Sequence, residues 1–570
     1  MPTIPQTTRA WDRSNPSPKP KAGRKNNGIS YEHPALFWAG VLVTTVGVLM
    51  QLPMYWTARH DHFHMVGMPL TWYMNVGMLL IGVGVALVVV AIIPKKTERA
   101  QRVSKIKIGS LDDTKISKAH VALLLVLAAA ITIDVMKSTS LAFIAPGAAV
   151  EYNLRGPLNP HSPNLPVALY PLIGITGTMI GSFLWGWFGD RIGRRASILL
   201  SAILFIATTT CGTMPEYWLN LVSCFFMGVG VGGMLPITFA LMSETIPKRH
   251  RSWLMVLIGS DIAGAYIIVS WLASTIAAPD RFGWRMLWLV GLPSGLLLIL
   301  LNRWMPESPR FLLQQGRDEE ARAVMARYGA AIIESDEESD LAVEQHLKGG
   351  ISQLFTRNFL GLSAAIILLA LSIGMTQYGF QQWMPSNLQH LGFSAVHSTS
   401  ILRNAALLGF PFSLPVALLY GFWSTKKTVL GVTVLMAGSL GTFAFLGDSV
   451  VENSTLLYVL LVIPIWGISL LNSVLAAYTA EVYPTVVRAR GSGMSAGATK
   501  TGGVAILFLV VIVAAAAPSV RMTAALGLIP MVLAGIVLLI FGPETRHRQL
   551  ESITAEALHL ELQPVAAGAR

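Results

Sequence analysis

Glu244-Thr-Ile-Pro247-Lys-Arg-His-Arg251 and Glu481-Val-Tyr-Pro484-Thr-Val-Val-Arg488 follow one plan: an acid, a proline three residues on, and an arginine four beyond that. Each copy lies between two apolar runs. A second echo closes each half, with Pro306-Glu307-Ser308-Pro309-Arg310 after one run and Pro543-Glu544-Thr545-Arg546 after the other. Singly, such motifs say only that proline ends a helix and that basic residues mark one side of a membrane. Paired and in order, they point to duplicated halves. That is the build of carriers that rock around a central site.

Composition agrees with a chain that lives in lipid. Of 570 residues, 53% are hydrophobic and 13% charged, against the roughly 25% charged of soluble domains. Roughly fourteen apolar runs recur from Pro34 to Gly542, each long enough to cross a hydrocarbon core of about 30 Å as helix. The reading is an all-α polytopic membrane protein. Its expected segments are a basic tail at 1–34, an extra transmembrane pair at 35–93, a linker at 94–118 and a first six-helix bundle at 119–304. A polar linker with a short helix follows at 305–357, then a second six-helix bundle at 358–541 and a tail at 542–570.

The net charge of +12 does not argue for nucleic acid, because its placement is asymmetric. Lys19, Lys21, Arg24 and Lys25, then Lys95, Lys96, Arg99, Arg102, Lys105 and Lys107, fall on the side that an even number of spans shares with both termini. This is the positive-inside bias, so both termini are expected in the cytoplasm and the protein in a plasma or inner membrane. No apolar stretch precedes Pro34, so no cleavable signal is expected. Cys211 and Cys224 lie in apolar spans and read as buried thiols.

A third signature, Gly186-Trp-Phe-Gly189-Asp190-Arg191-Ile-Gly193-Arg194-Arg195, sits in a short loop on the inner side. Gly193 permits a tight turn, Asp190 suits a helix N-terminus, and the arginines suit lipid phosphate or acidic partners. This loop resembles the signature loop of the major facilitator superfamily. With the repeated motifs, the resemblance extends over roughly residues 119 to 553, toward the sugar-porter and metabolite-symporter branches. It implies two six-helix bundles and a cytoplasmic gate made by Gly186, Asp190, Arg191, Gly193, Arg194, Glu244, Arg251, Glu481 and Arg488. In the second half, Gly421-Phe-Trp-Ser-Thr425-Lys426-Lys427 puts Thr425 where Asp190 would stand, which implies unequal gating.

Charged side chains inside spans are costly and default to functional hypotheses. Asp134 and Lys137 are three residues apart on one helical face, where they could pair; Asp261 is mid-span, Arg403 lies toward the outer end of its span, and Lys500 is well inside its own. A titratable carboxylate, Asp134 first and Asp261 second, is the candidate proton site, with Lys137, Arg403 or Lys500 meeting an anionic substrate group. The alternative is a set of inter-helix ion pairs. The run Gln377-Tyr378-Gly379-Phe380-Gln381-Gln382-Trp383-Met384-Pro385-Ser386-Asn387-Leu388 has amides and aromatics suited to a cavity wall. Gln377, Gln381 and Gln382 are its hydrogen-bonding candidates, and Trp383 could equally belong to an interfacial belt. The Trp-Met-Pro-Ser-Asn-Leu wording is similar to aromatic-acid and nicotinate relatives. Two departures bear on coupling and cargo. Cys224 stands four residues before Gly228 where the family often has arginine, and Trp253 to Ala277 lacks the Gly-Pro-rich motif of drug antiporters.

The extra pair is joined by His60-Asp61-His62-Phe63-His64. His60, His62 and His64 are ligand types for a metal, but spacing alone fixes no geometry, and a solvated loop is the favoured reading. The expectation is a proton-coupled transporter of a small organic acid, without cofactor, whose partners are substrate, protons and lipid, with the oligomeric state open. An exporter or exchanger on the same scaffold, or a transport-incompetent sensor, are the alternatives. No nucleotide loop, nucleophile elbow or zinc-protease motif suggests an enzyme.

Overall fold

The computed structural model describes residues 33–92, 106–107, 114–156, 158–278, 280–314, 317–330, 333–334, 351–357, 359–483, 485–513 and 519–544. Among the described residues fourteen long helices follow one another. The first two are α1 (Pro34–Asp61) and α2 (Trp72–Ile92). The first half continues with α3 (Lys118–Glu151), α4 (Leu169–Ile192), α5 (Arg194–Thr213), α6 (Tyr217–Thr245), α7 (Arg249–Thr275) and α8 (Met286–Trp304). The second half comprises α9 (Leu360–His390), α10 (Ala395–Phe422), α11 (Thr425–Leu446), α12 (Ser454–Val482), α13 (Thr485–Val513) and α14 (Val520–Phe541). Among the described residues, 13 helices are long and apolar enough to cross a membrane. The 24-residue α4 stands where the sequence places the remaining span.

These helices form because in lipid every backbone N–H and C=O must be satisfied internally, which an apolar run achieves by bonding within its own segment. Their outer faces remain apolar: Phe445 is 82% exposed and Leu125 67%. Such exposure fits a lipid solvent and would be a liability in water. Inward faces meet where small residues let backbones close. A Cβ on Gly228 would sit 2.0 Å from the Gly174 carbonyl, so α6 lies against α4 at glycine-only distance. Likewise a Cβ on Gly374 would meet the Thr499 carbonyl at 1.9 Å, fixing α9 on α13. Helices α1 and α2 pair in the same manner, through Gly84 against Thr44 and Gly47 against Gly77.

The halves meet along α7 with α10 and α12, and along α4 with α13. The α1–α2 hairpin packs outside this bundle, against α5. The short helix expected between Glu319 and Tyr328 is present as Asp318–Arg327. One feature was not anticipated by the all-α reading: strand β1 (Ile106–Lys107) pairs antiparallel with β2 (Ile333–Glu334), joining the linker before α3 to the linker between the halves. The tail at 1–32 and the segment from 545 onward lie outside the described residues.

Candidate functional site

Asp134 lies about 25 Å along α3 from either end, at mid-depth. It is 3% exposed and its Oδ1 has no hydrogen-bond partner. The cation whose charge acts on it is Lys500, from the middle of α13 in the other half. Among the described residues Lys500 makes no ion pair within 4 Å; its ammonium lies 6.0 Å from the Tyr378 ring centre. Asp134 and Lys500, one from each half, are therefore within electrostatic reach of one another without closing into a salt bridge.

The expected Asp134–Lys137 pair is not formed. Lys137, 4% exposed, turns into the first half and donates to the Trp288 carbonyl at 3.4 Å. Gly291 makes this possible, since a Cβ there would sit 2.0 Å from the Lys137 ammonium. The same ammonium is within electrostatic reach of Cys211 and Cys224. It thus brings a positive charge close to Cys224, the position where the resemblance would have an arginine.

Asp261 opens the second segment of α7 just after the break at Ser260, and accepts a hydrogen bond from Thr132 of α3. Arg403 on α10 reaches across to α7, donating to Ser274 Oγ at 3.3 Å, and also contacts Asn404 Oδ1 at 3.2 Å. Both candidates are anchored by neutral partners rather than by countercharges.

Helix α9 carries the densest set of unspent donors. It changes to π-helix at Thr376–Gln381, a widening common at functional sites. Gln377 Oε1 accepts from Asn472 Nδ2 of α12 at 3.3 Å. Gln381 and Gln382 are buried. Tyr378 OH, Gln382 Nε2, Trp383 Nε1 and Asn387 Nδ2 are all buried without a partner. Trp383 is therefore no lipid-facing belt residue; it is 2% exposed. With Ser372 Oγ, also buried without a partner, α9 carries five orphan donors, which are costly unless something accepts from them. Asn472 and Tyr266, whose hydroxyl is also unpartnered, were missed in sequence; a polar amide in an apolar span was the signal available for Asn472.

At the end of the molecule bearing the repeated motifs, Gly193 adopts φ +97° between α4 and α5. A Cβ there would strike Glu307 Oε2 at 2.4 Å. Glu307 Oε1 accepts from the backbone N–H of Arg194 at 2.7 Å, of Ser308 at 3.0 Å and of Arg195 at 3.4 Å. Burial pushes its carboxyl above the usual range, against these donors and the Arg194 charge, which favour ionisation. Arg194 also pairs with Glu244 at 3.5 Å. Arg251 donates to the Ile246 carbonyl at 3.2 Å, and Glu481 accepts from Tyr420 OH at 3.0 Å and from Ser252 of the first half. The Gly186, Asp190, Arg191 and Arg488 positions lie in α4 and α13, and their side chains are outside the described ones.

The second half repeats this cap. Glu544 Oε1 accepts from Thr425 N–H at 2.9 Å and from Thr425 Oγ1 at 2.6 Å. Thr425 is the first residue of α11, so its structural counterpart is Arg194, first in α5, rather than Asp190. The alignment by Gly421 is thus displaced by four residues: Gly193 alone separates α4 from α5, whereas Trp423 and Ser424 separate α10 from α11.

His60 lies in the last turn of α1, where it accepts from Arg59 at 3.3 Å, and His62 and His64 follow in the turn after it. Among the described residues no group of three or more His, Cys, Asp or Glu side chains could hold a metal ion.

Comparison with known proteins extends these observations. The sugar (and other) transporter family profile matches residues 151–557, and that of the MFS/sugar transport protein family matches residues 36–251. A niacin transporter of Acinetobacter baylyi is 28% identical over 67% of this chain and 86% of its own. The 4-hydroxybenzoate transporter of the same species is 25% identical over 72% of this chain and 90% of its own. In three dimensions, the proton:xylose symporter XylE bound to 6-bromo-6-deoxy-D-glucose superposes with a TM-score of 0.58 at 19% identity, covering 76% of this chain and 98% of that one.

Proposed function

Given that this chain belongs to the sugar (and other) transporter family, an integral membrane transporter and not an enzyme, we propose that it carries a small organic acid by proton-coupled alternating access. Asp134 is the proton site and Lys500, with the α9 donors, receives the acid. The observation that carries this reading is the open pair at mid-depth: an unpartnered Asp134 oxygen on α3 and, on α13, an ammonium without an ion pair among the described residues.

The chemistry runs as follows. With Asp134 ionised, Lys500 has a countercharge across the junction and little reason to bind an anion. Protonation of Asp134 removes that countercharge, leaving Lys500 free to attract a substrate carboxylate. Tyr378 OH, Gln382 Nε2, Trp383 Nε1 and Asn387 Nδ2 are donors in search of acceptors, which favours an acceptor-rich cargo. Niacin and 4-hydroxybenzoate, the cargoes named for two relatives, are small aromatic carboxylates, and the Tyr378, Phe380 and Trp383 rings offer flat area to such a ring.

The motif-bearing end is the cytoplasmic one on the positive-inside rule. There Glu307, Arg194 and Glu244 gather three of the sequence motifs, and Glu481 with Ser252 joins the halves, which supports a gate at that end. The test is uptake into proteoliposomes from a panel of benzoate-like acids, nicotinate, dicarboxylates, sugars and organic cations. A monocarboxylate should accumulate when protons flow inward; uptake confined to sugars or cations would contradict the proposal.

A further inference from the structure

The α1–α2 hairpin lies outside the twelve-helix core, yet it reaches into a buried ion pair. Met65 N–H, in the turn between α1 and α2, donates to Glu151 Oε1 at 2.8 Å. Glu151, the last residue of α3, is bound to Arg285 at 2.8 Å, with side chains only 3% and 1% exposed. Arg285 in turn donates to the Met214 carbonyl at 2.8 Å and to Tyr152 OH at 2.9 Å, and stacks on Trp284 at 4.6 Å. A buried ion pair holds only when its remaining hydrogen-bonding capacity is filled. The hairpin supplies one of those bonds.

A second attachment lies beside the first. Tyr55 OH donates to the Phe282 carbonyl, and Phe63 stacks on Tyr55 at 4.8 Å and leans on Phe282 at 5.7 Å. Met54, Tyr55, Ala58, Phe63, Met65 and Met74 form a small apolar core, against which Leu289 of α8 packs. The bodies of α1 and α2 lie on α5. All these partners belong to the first half.

We infer that the hairpin and the first half move as one eight-helix body, pinned at the end of α3, the helix that carries Asp134. On the alternating-access reading above, six helices then rock against eight. A free lipid-side appendage would need neither the Met65–Glu151 bond nor the aromatic stack.

Disulfide tethering tests this, because Cys211 and Cys224 are buried and stay silent. In the full chain, Phe63→Cys with Phe282→Cys should cross-link on oxidation and leave uptake within about twofold of the reduced protein. Met179→Cys with Thr501→Cys, whose native side chains meet across α4 and α13 at 3.9 Å, should arrest uptake when oxidised. Arrest by the first tether, or its failure to form, overturns the one-body inference. Continued uptake with the second tether formed overturns alternating access instead. Should the first double variant not fold, Tyr55→Phe removes a single donor. Hydrogen exchange at amides 52–65 and 282–289 should then rise together by roughly fivefold; a rise in one segment alone contradicts the inference.

Discussion

Glu307 accepts a hydrogen bond from the backbone N–H of Arg194 at 2.7 Å, so the end of the first half caps the start of its third core helix. Glu544 does the same for Thr425 at 2.9 Å in the second half. A carboxylate at a helix N-terminus satisfies orphan N–H groups and meets the positive end of the helix dipole. The Pro-Glu echo in the sequence is therefore a duplicated cap.

Removing the cap should cost stability in proportion to the donors left unmet. Glu307→Ala leaves Arg194, Arg195 and Ser308 amides short of an acceptor and is expected to destabilise by about 2 kcal/mol. Glu307→Gln keeps Oε1 as an acceptor and should lose less than about 1 kcal/mol. Thermal unfolding in detergent separates the two, and equal losses would mean that charge rather than the acceptor matters.

The α9 donors make a prediction that structural residues would not. If Gln382 Nε2 and Asn387 Nδ2 await a substrate acceptor, Gln382→Leu or Asn387→Leu should raise the half-saturating substrate concentration about 5- to 30-fold. Stability should hold or rise, because an unsatisfied buried group is removed. Uptake kinetics beside a melting curve give both readouts, and a stability loss with unchanged kinetics would assign these residues to packing.

Lys500→Met should abolish recognition of the carboxylate while leaving the fold intact, since Lys500 makes no ion pair within 4 Å among the described residues. Binding of a benzoate-like acid, followed by calorimetry, should weaken by at least tenfold. Unchanged affinity would remove Lys500 from the site.

Close packing beside the site has its own signature. Gly374→Ala would bring a Cβ to within 1.9 Å of the Thr499 carbonyl, a backbone atom that cannot turn away. Pushing α9 from α13 should destabilise by about 1–3 kcal/mol and misplace Lys500 relative to Tyr378. Tolerance of this change in both melting temperature and uptake would contradict the observed helix contact.

The fold was legible because lipid makes strong demands on sequence: the apolar runs become helices, and the repeated motifs mark corresponding places in the two halves. Side-chain partners were not. The three-residue spacing of Asp134 and Lys137 allowed a pair, but a glycine on α8, Gly291, opened a different berth for the lysine. The Thr425 register failed because Gly421 lies inside α10 and is no counterpart of Gly186, a four-residue shift that only the Glu544 cap reveals. Glu151 and Arg285 escaped notice because each stands at a span end, where a charge looks solvated; their burial arises from the hairpin and loops folding over them.

Proton movement measured alongside substrate uptake in proteoliposomes tests the central claim most directly. Wild-type protein should take up protons together with a benzoate-like acid or nicotinate, whereas Asp134→Asn should lose proton uptake and gradient-driven accumulation but keep substrate exchange. Proton-coupled accumulation undiminished in Asp134→Asn would contradict the account.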